Sequence, residues 1–323
     1  MPKQCFVKCV IAAGLLVANA GFVWGQDYPT KPIRVVTDGA GGGNDIVSRV
    51  IKDGLDRTGS LGQPIIIENR RGGSGSIASD IVAKSAPDGY TLLVYSNTLW
   101  TLPFINKVPY EVRTDFSQIT TATTAPNLLV VHPSLPVKTI KDLIALAKAR
   151  PGELNFCSGA LGSSPHLAGE LFKIMASVNM QHVLYGGGAR AIAGLLVGEV
   201  QMFFATVQGV KAHVTSGRLR AVAVTSATPF VLAPGVPTIA ATLPGFETGQ
   251  VIGVHAPAKT PKAIIDRLNQ EIVRVLARAD VKEKFLNLGV EATPSSPEQF
   301  AAMMRTDMAK MGKLIKDADI RAK

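Results

Sequence analysis

A chain of 323 residues can bury a large core, and its length favours two lobes over one. With 46% hydrophobic and 18% charged residues its composition is globular, which excludes a disordered chain. The formal charge of +10 is scattered without a Lys/Arg run and aromatics reach only 6%, which argues against a nucleic-acid partner and leaves attraction of anionic solutes open.

The chain starts with Lys3 and Lys8, followed by a stretch at residues 9–24 that is apolar or small throughout and holds Ala18-Asn19-Ala20 as a small-x-small cleavage site. This order reads as a cleaved signal peptide over residues 1–25, with cleavage after Ala20 or nearer Gln26. The segment is too short for a permanent span, and no later apolar run reaches the roughly 18–20 residues a transmembrane helix needs. The mature chain is therefore expected to be soluble and exported. Loss of Lys3 and Lys8 lowers the charge from +10 to about +8. Cys5 and Cys9 leave with the leader, so Cys157 remains alone and the core, not a disulfide, must hold the fold.

From Tyr28 onward strands and helices alternate. Ile33-Arg34-Val35-Val36 reads as a strand, Thr37-Asp38-Gly39-Ala40-Gly41-Gly42-Gly43-Asn44-Asp45 as a glycine loop, and Ile46, Val47, Val50, Ile51 and Leu55 as the helix it opens. Glycines let a ligand approach backbone N–H groups, and a helix N-terminus adds unpaired donors and a positive dipole end, so this loop is a candidate anion seat. Pro64-Ile65-Ile66-Ile67-Glu68 is a second strand, followed by a glycine-rich turn at residues 69–76 and a helix on Ile77, Ile81 and Val82. Pro87-Asp88-Gly89 turns into a third strand at residues 90–95, ending at Ser96-Asn97-Thr98. Such alternation implies an α/β fold with mostly parallel sheets, whose ligands gather at the carboxyl ends of the strands.

Residues 127–132 read as a further strand. Thr139 and Asp142 form a capping box before the stripe Ile140, Leu143, Ile144 and Ala147. Leu154-Asn155-Phe156-Cys157 then leads into the loop Ser158-Gly159-Ala160-Leu161-Gly162-Ser163, with Ser164 as helix cap, Pro165 at the first helical position, and Leu167, Leu171 and Met175 on one face. This repeats the opening architecture. Residues 183–188 repeat it loosely, with Ala189, Ile192, Ala193 and Leu196 as the helix face, and residues 200–204 and 219–224 add two strands. A strand at 251–256 leads to what reads as the longest amphipathic helix, on Ile264, Ile265, Leu268, Ile272, Val275 and Leu276. Ser296-Pro297-Glu298-Gln299 caps the last helix, whose stripe of Phe300, Met303, Met304, Met311, Leu314 and Ile315 reads as core packing in preference to an adaptable interaction surface.

Little in this pattern suggests catalysis. An exported hydrolase acting on a small carboxylate through Ser163 or Ser164 with His166 is the alternative, but no Gly-x-Ser-x-Gly surrounds them, and their close spacing at a helix start suits a cap better than a nucleophile and base. The first loop lacks the Gly-Lys-Ser/Thr ending of a phosphate loop, and Asn44 stands where a dinucleotide motif starting at Gly39 needs glycine. His132, His166, His182, His213 and His255 show no ligand spacing, so neither a metal nor a cofactor is expected. Cys157 reads as a buried strand residue. Binding without reaction remains: two loops of Gly, Ser and Asn, one in each half, placing donors on both sides of a cleft and suiting a carboxylate.

Six motifs, in this order, carry a resemblance: Gly41-Gly42-Gly43-Asn44-Asp45, Glu68-Asn69-Arg70, Pro87-Asp88-Gly89-Tyr90-Thr91-Leu92-Leu93, His166-Leu167-Ala168-Gly169-Glu170, Leu219-Arg220-Ala221-Val222-Ala223-Val224-Thr225 and Val236-Pro237-Thr238. Over nearly the whole mature chain the sequence resembles the extracytoplasmic solute receptors of tripartite tricarboxylate transporters, the Bug family of periplasmic binding proteins. The resemblance implies a two-lobed type II periplasmic binding fold closing on a small carboxylate such as a di- or tricarboxylate, an amino acid or an aromatic acid. It implies a periplasmic, monomeric receptor that is not an enzyme and delivers its ligand to the membrane components of such a transporter. Lobe 1 would be residues 26–126 plus 250–323, lobe 2 residues 127–249, and the strands at 127–132 and 251–256 the crossings. By position, the ligand contacts would come from Gly41, Gly42, Gly43 and Asp45, from Ser96, and from Ser163, Ser164 and His166. The chain departs from the family pattern at Thr37, Asp38, Gly39 and Ala40, where a proline, an aromatic and further prolines are usual, and at Gly186, Arg190 and Ala205. A carboxylate beside an anion seat needs a cation, so Asp38 is expected to pair with Arg190 or to receive a ligand amine, unless it points to solvent.

Overall fold

The computed structural model describes residues 28–317 and Ile320; the leader expected at residues 1–25 lies outside the described residues. The first half runs β1 (Ile33–Thr37), α1 (Gly43–Thr58), β2 (Ile65–Asn69), α2 (Ser76–Ala83), β3 (Thr91–Ser96), α3 (Thr98–Thr101), α4 (Val112–Asp115) and β4 (Phe116–Val131). There follow α5 (Ile140–Ala149), β5 (Asn155–Ser158), α6 (Ser164–Ala176), β6 (Gln181–Leu184), α7 (Gly188–Leu196), β7 (Met202–Thr206), α8 (Val207–Thr215) and β8 (Arg220–Val224). The chain returns through β9 (Gly249–Pro257), α9 (Lys262–Leu276), α10 (Ala279–Asn287), β10 (Glu291–Ala292) and α11 (Pro297–Asp317).

The described strands form one continuous ladder in the order β2-β1-β3-β9-β4-β7-β5-β6, with β8 and β10 pairing onto β4. Two parallel sets, β2-β1-β3 and β7-β5-β6, flank an antiparallel centre in which β9 pairs with both β3 and β4. Strand β4 is the organiser. Its 16 residues pair with β9 as far as Pro126, opposite Gly249, and then with β7 from Asn127, opposite Thr206. The sequence reading found only the end of this strand, because Ser117 to Pro126 holds no long apolar run; its four threonines are β-branched and suit a strand equally well.

Each sheet is covered on both faces. In the first set, α1, α9 and α10 enclose one core and α2, α3 and α11 another; in the second, α5 and α6 lie on one face and α7 and α8 on the other. The stripe of α9 is buried as its spacing predicts, but α9 spans 15 residues and α11, at 21, is the longest described helix. The methionine stripe is core: Met304 and Met308 pack with Phe300, and Met311, Leu314 and Ile315 pack against Leu167 of α6. The expected α7 face is half right: Ile192 and Leu196 pack against the core beside the buried Ala191, Gly194 and Leu195, while Ala189 and Ala193 are exposed; Ile77 is about half exposed and Ala78 is buried beside it. No described helix is long and apolar enough to cross a membrane.

Candidate ligand-binding site

The register decides where the two loops go. Strand β3 advances towards the crossing, its last residue Ser96 lying opposite Ile252, and β7 advances towards it from the other side, ending at Thr206 opposite Asn127. The carboxyl ends of both parallel sets therefore point at the junction between Pro126 and Asn127, which places the loops after β1, β3, β5, β6 and β7 around it.

The glycine loop is held from within. Asp45, 2% exposed, accepts from the Gly41 N–H at 2.8 Å, from Arg49 Nε at 3.0 Å and from Asn69 Nδ2 at 2.9 Å, so its carboxylate fixes the loop. Burial acts to raise its pKa, but the bonds from Arg49, Gly41 and Asn69 outweigh it and hold the carboxyl below its ordinary range. Gly41 sits at φ 77, a left-handed position that glycine alone adopts freely. Gly41 and Gly43 are exposed and Gly42 is the N-cap of α1, with no side chain bonded to that helix end. The first-turn N–H groups of α1 consequently face the loop as free donors.

Asp38 does not meet Arg190. Among the described residues no ion pair joins them; Arg190 is exposed on α7, and the cation acting on Asp38 is Arg71. Nor does Asp38 point wholly to solvent: Asn44 Nδ2 donates to its Oδ2 at 3.1 Å, while Oδ1 is buried without a hydrogen-bond partner, as is Asn44 Oδ1. Burial raises the Asp38 pKa, opposed by the Asn44 bond, with Asp45 adding to the rise and Arg71 opposing it. A buried acceptor left unpaired costs about 1–3 kcal/mol.

In the serine loop Ser164 is not the cap. Ser163 holds the N-cap position of α6, but its Oγ donates to Ala160 O at 2.7 Å and no side chain caps the helix. Ser164 is buried in the first turn, and His166 Nδ1 accepts from the Gly162 N–H at 3.1 Å. Neither serine is hydrogen-bonded to His166: Ser163 Oγ is given to Ala160 O and His166 Nδ1 to the Gly162 N–H. His166 stacks on His182, ring centres 4.2 Å apart, and His182 Nε2 pairs with Ser158 Oγ at 2.8 Å. Burial, then the neighbouring His182 and Lys173, pull the His166 pKa down to about 3, leaving a neutral ring and a weak base. Thr101 Oγ1 of the first half donates to Gly162 O at 2.9 Å, tying the two halves together at this loop. Ser96 is buried and donates to Thr98 Oγ1 at 3.2 Å.

Three features escaped the sequence reading. An ideal Cβ on Gly159 would lie 2.6 Å from Gly188 N and 2.8 Å from Gly187 C, so the serine loop and the loop opening α7 touch backbone to backbone. Asn127, fully buried at the point where β4 changes partners, has both side-chain polar atoms unpaired, while Thr225 and Thr248 bind the crossing segments around it. A cavity of about 570 Å³ opens between α8 and the turn after α10, lined by Gln208, Lys211, Leu232, Leu286 and Asn287, and shares no residue with either loop. No signal short of the register could have found the first two.

Cys157 is fully buried and its thiol is pushed up to about 12 by burial, as its reading as a strand residue predicts. Among the described residues no group of three or more His, Cys, Asp or Glu could hold a metal. His255 is fully enclosed by Trp100, Phe116 and Phe300 with neither ring nitrogen paired, and burial lowers its pKa to about 3. A histidine held neutral in the fold but protonated when unfolded makes stability rise with pH: its contribution is complete above about pH 6.5 and falls by about 1.4 kcal/mol per unit below it. Urea midpoints measured between pH 7 and pH 4 should drop accordingly, and His255→Leu should flatten the slope by one histidine's share. An unchanged slope in that variant would assign the acid sensitivity elsewhere.

Residues 47–320 match the family model described as the tripartite tricarboxylate transporter family receptor. The chain belongs to this receptor family. It is 37% identical to the UPF0065 protein of the tcbD-tcbE intergenic region of Pseudomonas sp. strain P51, over 91% of this chain and 88% of that one. It is 33% identical to BugT of Bordetella pertussis, over 98% of this chain and 99% of that one, which places it among the Bug proteins. Among solved structures, R. palustris Rpa4515 with adipate superposes with a TM-score of 0.83 at 34% identity, covering 92% of this chain and all (100%) of that one. MatC of Rhodopseudomonas palustris with bound malate gives 0.78 at 27% identity, covering 89% and 100%. The receptor's fold is thus the mixed α/β fold of the periplasmic binding proteins, and the family and its structural neighbours are substrate-binding receptors.

Proposed function

We propose that this receptor captures a small carboxylate in the periplasm, between a lobe of residues 26–126 plus 250–323 and a lobe of residues 127–249, and delivers it as a monomer to the membrane components of a tripartite tricarboxylate-type transporter. The observation that carries the reading is the convergence of the glycine and serine loops, each opening a helix without a side-chain cap, on the strand junction at Asn127. Carboxylate oxygens accept from such N–H groups, and a ligand touching both lobes favours the closed state by its difference in affinity for the two states. The capture of adipate and malate by structural neighbours supports this ligand class. Ligand contacts are assigned to Gly41, Gly42 and Gly43, to Ser96, and to Ser163 and Ser164; Asp45 and His166 act by holding the loops that present them, and exposed Arg190 adds positive charge at the rim.

Native mass spectrometry of the protein purified from the periplasm, followed by calorimetry with a panel of di- and tricarboxylates, tests the capture step. The expected result is a retained small acid and saturable one-to-one binding. Conversion of the retained acid with time would overturn the receptor reading, as would failure of every acid to bind. Cells lacking the protein should lose high-affinity uptake of the acid identified; undiminished uptake would detach the receptor from a transporter.

A further inference from the structure

Strand parity brings one histidine to the serine loop from outside it. In the parallel pair of β5 and β6, His182 lies beside Phe156, and Ser158 follows Phe156 by two residues, so all three side chains stand on the face covered by α6. The His182 ring packs on Phe156 at a centre distance of 5.0 Å and on His166 of α6 at 4.2 Å, and its Nε2 lies 2.8 Å from Ser158 Oγ. Ser158 Oγ is also 3.1 Å from Ala160 O. A carbonyl only accepts, so the single hydroxyl proton goes to Ala160 and His182 must be the donor in the other bond. Ser163 Oγ donates to the same carbonyl at 2.7 Å, and His166 Nδ1 accepts from the Gly162 N–H at 3.1 Å. Both rings therefore carry a proton on Nε2, and together they engage Ser158, through it Ala160, and Gly162. The charged groups beside them are Lys173 and its partner Glu170, 2.7 Å apart. Burial, then Lys173, pulls the His182 pKa down to about 4, which keeps the ring neutral with one N–H.

We propose that His182 is a positioning residue of the carboxylate site: by donating to Ser158 while stacking on His166, it sets the shape of the serine loop and so the aim of the α6 N–H groups at the ligand. The assignment rests on the reading of the glycine and serine loops as a carboxylate site and adds to it a part that comes from β6. Ser158 is fully buried, so what the pair holds is the loop. The loop needs such a brace, because Gly159 and Gly162 carry no side chains to lock it, and Gly162 sits at φ 70, where the backbone is freest. N–H groups that converge on one small anion lose affinity when they diverge, even by a displacement that the surrounding core tolerates. The brace accordingly bears on binding more than on folding.

Calorimetry with succinate, malate, adipate and citrate on the full mature protein tests the assignment, with thermal melting beside it. His182→Phe keeps a ring on Phe156 and His166 but removes the donor; it should melt close to the parent yet bind the tightest of the four acids at least about tenfold more weakly. His182→Gln gives up the ring but offers Ser158 an amide N–H, so it should melt lower and still bind within about threefold of the parent. A merely structural role would not produce an order of affinity opposite to the order of stability. Ser158→Ala, which removes the acceptor, should weaken binding as His182→Phe does, and the two together should cost little more than either. NMR of the nitrogen-labelled parent at neutral pH should place the His182 proton on Nε2. Parental affinity in His182→Phe, affinities that follow the melting temperatures, or a proton on His182 Nδ1 would each overturn the assignment and leave the carboxylate reading standing. Failure of all four acids to bind the parent would overturn both.

Discussion

Gly159→Ala is expected to lower carboxylate affinity at least about 100-fold, a loss of about 2.7 kcal/mol. A methyl group is enough because the obstacle is backbone. The ideal Cβ would meet Gly188 N at 2.6 Å and Gly187 C at 2.8 Å, and no rotamer change moves those atoms. The loop after β5 and the loop opening α7 must separate, and donors aimed at one small anion lose their common focus by a displacement of the order that catalytic and binding geometry tolerates least. Overpacking of this kind costs about 1–3 kcal/mol of stability, so the protein should still fold. The control is Gly188→Ala, where nothing lies within 4 Å of the ideal Cβ and the position opens a helix, so affinity and stability should hardly change. Calorimetry with the acid retained on purification, beside a circular-dichroism melt, reads both quantities. Equal affinity of Gly159→Ala and the parent protein would remove the backbone contact from the binding site.

Phe300→Ala is expected to lower unfolding free energy by about 3–5 kcal/mol, the range for deleting a buried aromatic ring. Phe300 is fully buried at the start of α11, its ring centre 4.9 Å from that of His255 and 6.2 Å from that of Trp100. The ring lies directly over Gly253 of β9, where any Cβ would collide with it. That contact explains a glycine in the middle of a central strand, a place where glycine otherwise weakens the sheet. Gly253→Ala should therefore destabilise the parent protein by about 1–3 kcal/mol yet be nearly neutral once Phe300 is alanine. Urea unfolding of the two single variants and the double variant closes the cycle. Simple additivity would show that the ring and the glycine are independent.

Much of the architecture was legible because it is written in local pattern. The β-branched runs at Ile33 and Ile65, the capping boxes at Thr139 and Ser296, and the apolar stripe of α9 depend on residues within one or two turns of each other, and each formed where its spacing placed it. The errors follow the same rule in reverse. Strand β4 was half missed because threonine has high strand propensity without reading as apolar, and the Ser164 cap failed because α6 starts one residue earlier, which puts Ser163 at the N-cap, where its Oγ bonds Ala160 O instead of the helix end.

The sequence by itself determined that the chain is an α/β protein with glycine and serine loops at strand ends in both halves, that Cys157 is a buried strand residue, and that its motifs are those of the tripartite tricarboxylate transporter receptors. Only the tertiary structure decided which neighbours those residues acquire. It turned Asp45 and His166 into supports for their loops, gave Asp38 Asn44 as its hydrogen-bond partner in place of an ion pair with Arg190, and brought Gly159 against Gly187 and Gly188. The physical reason is range. Propensity, capping and burial periodicity act over a few residues, whereas the fate of a buried carboxylate or a touching backbone depends on groups that are distant in sequence and meet only when β4 crosses between its two sets of strands.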